Sequence, residues 1–236
     1  MLTLTLRGHP GSGQGSAPLT IETLADDIAH FVEALDLKGV IALGWSMGAM
    51  ALWRAAPELG ARLAGIIVED MAPRLTNDAA WQNGISGAYD HTDVAATVSE
   101  IEADWPAYVA RFAPRMFAPG LKDTHPQLVD WATAEMSNAN GRVMAALWAS
   151  MAAQDFRTEL TRIAQPMLVI SGRDSQVYPD GATAFVANTA PNASRAVIAG
   201  AGHVPHLEAP DAFFNHIESF VRTQRRSEVK SGGAVP

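Results

Sequence analysis

The sequence predicts an α/β fold, a mostly parallel sheet flanked by helices. Short apolar runs at Val40 to Leu43, Leu63 to Val68, Pro166 to Ile170 and Arg195 to Ile198 are separated by segments with helical periodicity. The Leu63 and Pro166 runs are almost wholly apolar, as strands are when helices cover both faces of a parallel sheet. A third observation concerns the middle of the chain. From about Met71 to Leu160 no strand signal is clear, and prolines at 73, 106, 114, 119 and 126 break up helical segments. This stretch reads as an inserted helical lobe.

Taken in order, Leu2-Thr3-Leu4-Thr5-Leu6 alternates with period two and predicts a strand. Arg7 to Pro18 is rich in Gly, Ser and Pro and predicts a loop. Thr20 is a good N-cap. After it Ile21, Leu24, Ala25, Ile28, Phe31, Val32 and Leu35 recur at helical spacing, opposite Glu22, Asp26, Asp27 and Glu33. Gly39 suits the stop. The strand from Val40 leads into Gly44-Trp45-Ser46-Met47-Gly48, and a helix from Met47 is expected to end near Pro57. Beyond the lobe, the strand ending at Ile170 runs into the loop Ser171-Gly172-Arg173-Asp174-Ser175. A helix over Asp180 to Asn188 and the strand ending at Ile198 follow. Then come the loop Gly200 to His203 and a closing helix that begins near Pro210. The expected organisation is a core of residues 1–70 and 161–221, a helical insertion at 71–160 and a flexible tail at 222–236.

Composition narrows the function classes. A net charge of −8 leaves no basic stripe for phosphates, so nucleic acid is not an expected partner. The chain has no cysteine, which excludes disulfides and thiolate chemistry and suits a cytoplasmic setting. No apolar run approaches the ~20 residues of a membrane span, and the start lacks the pattern of a signal peptide. The histidines at 9, 30, 91, 125 and 216 have no metal-ligand spacing, so neither a metal nor another cofactor is expected.

The chemistry centres on Ser46. A glycine on either side of a strand-to-helix turn permits a strained backbone that pushes the hydroxyl out at the carboxyl end of a strand. The first amides of the next helix then face whatever the serine attacks. A serine needs a base, and the base needs a third group to orient it. Asp174 and His203 each follow a predicted parallel strand, so both lie at the same sheet edge as Ser46. Ser46, Asp174 and His203 are therefore the expected catalytic residues. Asp70, after Val68, is the rival third group, and His206 the rival base. Glu208 is expected to hold the histidine loop by hydrogen bonds. The lobe holds Trp81, Trp105, Trp131 and Trp148, which are either lobe core or walls of an apolar pocket over Ser46.

These residues resemble the α/β-hydrolase fold superfamily. Gly44 to Gly48 is similar to its nucleophile elbow, Gly172-Arg173-Asp174 to its acid loop, and Gly202-His203 with Leu207-Glu208-Ala209-Pro210 to its histidine loop. Leu6-Arg7-Gly8-His9 and Thr20 to Asp27 resemble the segment upstream of the elbow. The resemblance implies an α/β-hydrolase core with a helical cap, and a serine hydrolase that cleaves esters, thioesters or lactones through an acyl-enzyme. It assigns the Met47 amide to the oxyanion hole and Trp45 to the substrate site. Trp45 and the lobe are similar to those of methyl ester esterases, enol-lactonases and cofactor-free haloperoxidases. A haloalkane dehalogenase is disfavoured, because that chemistry uses a carboxylate where this chain has Ser46.

One departure stands out. The family's strands ahead of the Arg-Gly-His loop have no counterpart in this sequence. Either Leu2 to Leu6 is the family's fourth strand, or it acts as the third and His9-Pro10-Gly11-Ser12-Gly13 serves as a shortened oxyanion loop. The expected partner is a small ester with an apolar acyl part, and a second copy of the chain is a candidate cover for the open sheet edge. The alternative expectations are a ligand-binding protein of the same fold without turnover, and a haloperoxidase or perhydrolase on the same residues.

Overall fold

A computed structural model describes residues 1–232, with side chains described as far as Arg226; the last four residues of the expected tail lie outside the described residues. The elements in chain order are α1 (Ile21–Ala34), β1 (Val40–Trp45), α2 (Met47–Leu59), β2 (Leu63–Glu69), α3 (His91–Ala103), α4 (Trp105–Phe112), α5 (Leu121–Thr124), α6 (Pro126–Ser137), α7 (Gly141–Ala152), β3 (Met167–Gly172), α8 (Asp180–Thr189), β4 (Ala193–Ile198), α9 (Pro205–Glu208) and α10 (Pro210–Gly232). Among the described residues the four strands are all parallel, in the order β1-β2-β3-β4.

The apolar runs become strands because both of their faces are covered. Ile66, Val68, Met167 and Val169 point into a core shared with α1, α2 and α8. Their neighbours Ile67, Leu168 and Ile170 point the other way, against Phe213 and Phe220 of α10. Thr20 caps α1 by accepting from the Thr23 amide, and α1 buries Ile21, Leu24, Ala25, Ile28, Ala29 and Val32. Helix α2 ends at Leu59, close to the expected stop, with Pro57 in its last turn. Helix α10 extends through Gly232, across much of the stretch expected as a tail. Among the described residues no helix is long and apolar enough to cross a membrane.

Leu2 to Leu6 do not form a strand. The alternating pattern gives a strand one face, but its backbone groups still need a partner edge. These residues border the same cavity as β1 without entering the ladder, and Leu2 is 62% exposed. Strand β1 therefore forms one edge of the sheet, with Leu43 exposed. Both roles expected for the N-terminal stretch, fourth strand or third, require a strand at Leu2 to Leu6, so neither describes the structure.

Residues between β2 and β3 hold helices α3 to α7. Ile101, Trp105, Val109, Met116, Phe117 and Val129 form a core of their own, which also packs on Trp45, Val204 and Leu207. These helices thus pack against Trp45 at the end of β1 and against Val204 and Leu207 beyond β4, next to Ser46 and His203 in the chain.

Candidate active site

The strand register sets the site. Trp45 pairs with Glu69, and Glu69 with Ile170. The ladder runs one residue further on each strand, with Ser46 N–H donating to Glu69 O at 3.0 Å and Asp70 N–H to Ile170 O at 2.8 Å. Ser46 and Asp70 consequently leave adjacent strands at the same level. Both have left-handed backbones, φ 51° and 40°. Only two other non-glycine residues among those described share that sign, so the strain concentrates here.

Ser46 occupies the N-cap position of α2, a place where serine normally bonds to the helix amides. Its side chain makes no capping bond. The hydroxyl is left for another use, beside the Met47 amide at the positive end of the helix. Gly44 allows this turn. A Cβ at Gly44 would stand 2.5 Å from the Gly48 carbonyl and 2.7 Å from the Ala49 amide, all backbone atoms that cannot move aside. A Cβ at Gly48 would meet nothing within 4 Å, so the steric demand falls on one side only. Gly44→Ala is expected to lower the unfolding free energy by about 3 kcal/mol or more, read from the denaturant midpoint.

His203 Nδ1 lies 2.8 Å from Asp70 Oδ2, and each side chain is only 2% exposed. A carboxylate oxygen accepts, so Nδ1 carries the hydrogen and Nε2 is left as a proton acceptor. Ser175 Oγ–H donates to the same Asp70 oxygen at 2.7 Å. Tyr178 packs edge-on against the His203 ring at 5.6 Å, and burial raises its hydroxyl pKa beyond the usual phenol range. Trp45 Nε1–H donates to the His203 carbonyl at 2.8 Å, and its ring lies 5.3 Å from the imidazole.

Asp174, the expected acid, has no such contact. It is exposed, and its Oδ2 accepts from the Gly200 amide at 3.0 Å. Its own amide donates to Ala201 O. Asp174 thus braces the turn ahead of His203, while the loop that carries it supplies Ser175 to Asp70 instead. The rival Asp70 is the carboxylate that the structure brings to the histidine. His206, the rival base, pairs with Glu69 at 2.7 Å.

Glu208 fastens the histidine loop. It accepts from Gly202 N–H at 2.6 Å and from the lobe's Ala118 N–H at 2.7 Å. Burial raises its pKa, against the pull of those amides. Glu208→Ala leaves both amides without their acceptor, and a loss of about 2 kcal/mol of stability is expected in chemical denaturation. In the N-terminal turn the amides of Gly8, His9 and Ser12 donate to Gly13, Leu6 and His9 carbonyls, so the shortened loop spends these donors on itself.

Ser46, Trp45, His203 and His206 share one cavity of about 1340 Å³. Trp105, Tyr108, Phe112, Met144 and Trp148 of the lobe also line it. Trp81 instead packs against Phe185, and Trp131 is half exposed. The cavity has a mostly apolar lining, an arrangement suited to holding an apolar group beside Ser46. Among the described residues no group of three or more His, Asp or Glu could hold a metal ion.

Comparison with known proteins gives a consistent picture. Residues 1–216 match the model of the alpha/beta hydrolase family. The chain is 24% identical over 218 residues to 3-oxoadipate enol-lactonase 2 of Acinetobacter baylyi, covering 92% of this chain and 76% of that one. It is 26% identical over 203 residues to the pimeloyl-[acyl-carrier protein] methyl ester esterase of Nitrosospira multiformis, covering 84% and 73%. Its fold superposes on an esterase from Exiguobacterium antarcticum with a TM-score of 0.83 at 22% identity, covering 92% and 79%. In the eight curated relatives compared, the chain spans between 63% and 82% of their lengths.

Proposed function

Because the chain belongs to the alpha/beta hydrolase family, we propose that it is a serine hydrolase that cleaves a carboxylic ester, thioester or lactone through an acyl-enzyme on Ser46. The observation that carries this reading is the buried His203–Asp70 contact at 2.8 Å, beside a strained serine whose hydroxyl caps nothing. His203 Nε2 takes the Ser46 proton as the hydroxyl attacks the carbonyl carbon. Asp70 holds the imidazole in the required tautomer and stabilises its positive charge. The Met47 amide donates to the oxyanion. His203 then returns the proton to the leaving oxygen or sulfur, and activates water to release the acid. Trp45, through its bond to the His203 carbonyl, fixes the ring against the elbow.

The relatives named for lactone and methyl ester cleavage support the reaction class. The aromatic and methionine lining of the cavity favours an apolar acyl part. Nitrophenyl esters of increasing acyl length test the reading. Turnover with a burst of nitrophenol is expected, with kcat/KM rising from acetate to medium chains. A folded protein that hydrolyses none of them faster than its Ser46→Ala variant contradicts the reading.

A further inference from the structure

Beside the His203–Asp70 contact lies a second pair of the same kind. Glu69 is 1% exposed, and one of its oxygens, Oε1, accepts twice from a single residue: from His206 Nδ1–H at 2.7 Å and from His206 N–H at 3.1 Å. Glu69 also acts through its backbone, because its carbonyl accepts the Ser46 amide at 3.0 Å. One residue therefore grips the serine turn with its carbonyl and the histidine segment with its carboxylate. Trp45 stands between the two imidazoles, 5.3 Å from His203 and 5.5 Å from His206. Phe213 of α10 packs on His206 from behind, at 6.0 Å.

A carboxylate is a costly group to bury, and a fold has cheaper ways to pin a turn. Nothing in the proposed reaction uses Glu69 or His206 directly. Their geometry suits a different task. The proton transfer from Ser46 to His203 depends on the separation of two side chains that arise from segments far apart in sequence. Glu69 and His206 tie those segments together three residues beyond His203 and one residue before Asp70.

We propose that Glu69 and His206 are positioning residues, which set His203 against Ser46 through Trp45. This inference rests on the serine-hydrolase reading. It predicts a fault in chemistry and not in binding. In His206→Phe the ring still fills the space between Trp45 and Phe213, but the Nδ1 bond is gone. Its kcat is expected to fall about 10-fold or more, with KM changed less than about twofold. In His206→Asn the side-chain amide can donate from near the Nδ1 position, and it restores most of that loss.

The test combines steady-state kinetics of wild type, His206→Phe and His206→Asn with proton NMR of the downfield His203 Nδ1–H. A resonance that moves in His206→Phe and returns in His206→Asn supports the proposal, alongside the kcat loss and its rescue. Unchanged kcat and an unmoved resonance in a folded His206→Phe overturn it. So does a kcat loss that His206→Asn fails to rescue while the resonance stays put. Should His206→Phe fail to fold, Glu69→Gln keeps the side-chain volume but weakens the acceptor for both His206 hydrogens; kcat is expected to fall about threefold or more with KM changed less than about twofold and the resonance moved, and wild-type kcat with an unmoved resonance overturns the proposal. Wild-type protein that hydrolyses no ester defeats the serine-hydrolase reading, and the resonance then still decides whether His206 positions His203.

Discussion

Asp70→Asn is expected to lower kcat by about 10⁴-fold, while Asp174→Asn leaves it within about threefold. An asparagine at position 70 keeps the size of the side chain and its place between His203 and Ser175. It removes the charge that stabilises the imidazolium, and it offers an amide that favours the wrong imidazole tautomer. Asp174 is exposed, and what it bonds is the Gly200 amide. Asparagine keeps an oxygen for that amide, so the turn before His203 survives. Kinetics of the two variants on one nitrophenyl ester separate the two aspartates. Near-wild-type activity in Asp70→Asn together with a large loss in Asp174→Asn reverses the assignment.

Ser46→Ala is expected to lower kcat by about 10⁶-fold, down to what the oxyanion donor and binding achieve without a nucleophile. The same change is expected to alter stability by no more than about 0.5 kcal/mol. The hydroxyl makes no capping bond to α2, and alanine meets the same left-handed backbone as serine does. KM is expected to change little, because the proposed acyl contacts are with the lobe residues that line the cavity and not with the Ser46 hydroxyl. Enzyme kinetics and denaturant unfolding on one preparation check both halves.

Much of the fold was legible because burial writes itself into composition. Leu63 to Val68 and Pro166 to Ile170 are covered on both faces, and only apolar side chains tolerate that. Leu2 to Leu6 had the right alternation, but a strand is a property of two edges, and the sequence of one edge does not reveal whether it has a partner. Pro57 marked the end of α2 closely: in the last turn a proline loses little, and the helix runs only two residues past it, to Leu59.

The site divides in the same way. The strained turn at Ser46 could be read locally, from the glycine that its neighbour's backbone excludes from having a side chain. The partner of His203 could not. Asp70 and Asp174 both follow parallel strands at one sheet edge, and spacing does not separate them. What separates them is a left-handed backbone at Asp70 and a hydroxyl from Ser175, both tertiary facts. The Glu69–His206 pair left one faint trace, a carboxylate closing an otherwise apolar strand.

The Ser46 hydroxyl is the proposed nucleophile, activated by His203 and Asp70. Reaction with a fluorophosphonate, followed by peptide mapping in the mass spectrometer, reads this out at the residue itself. The expected result is a single adduct on the peptide carrying Ser46, formed rapidly in wild type and slowed by orders of magnitude in Asp70→Asn. A folded wild-type protein with no adduct at Ser46 contradicts the claim.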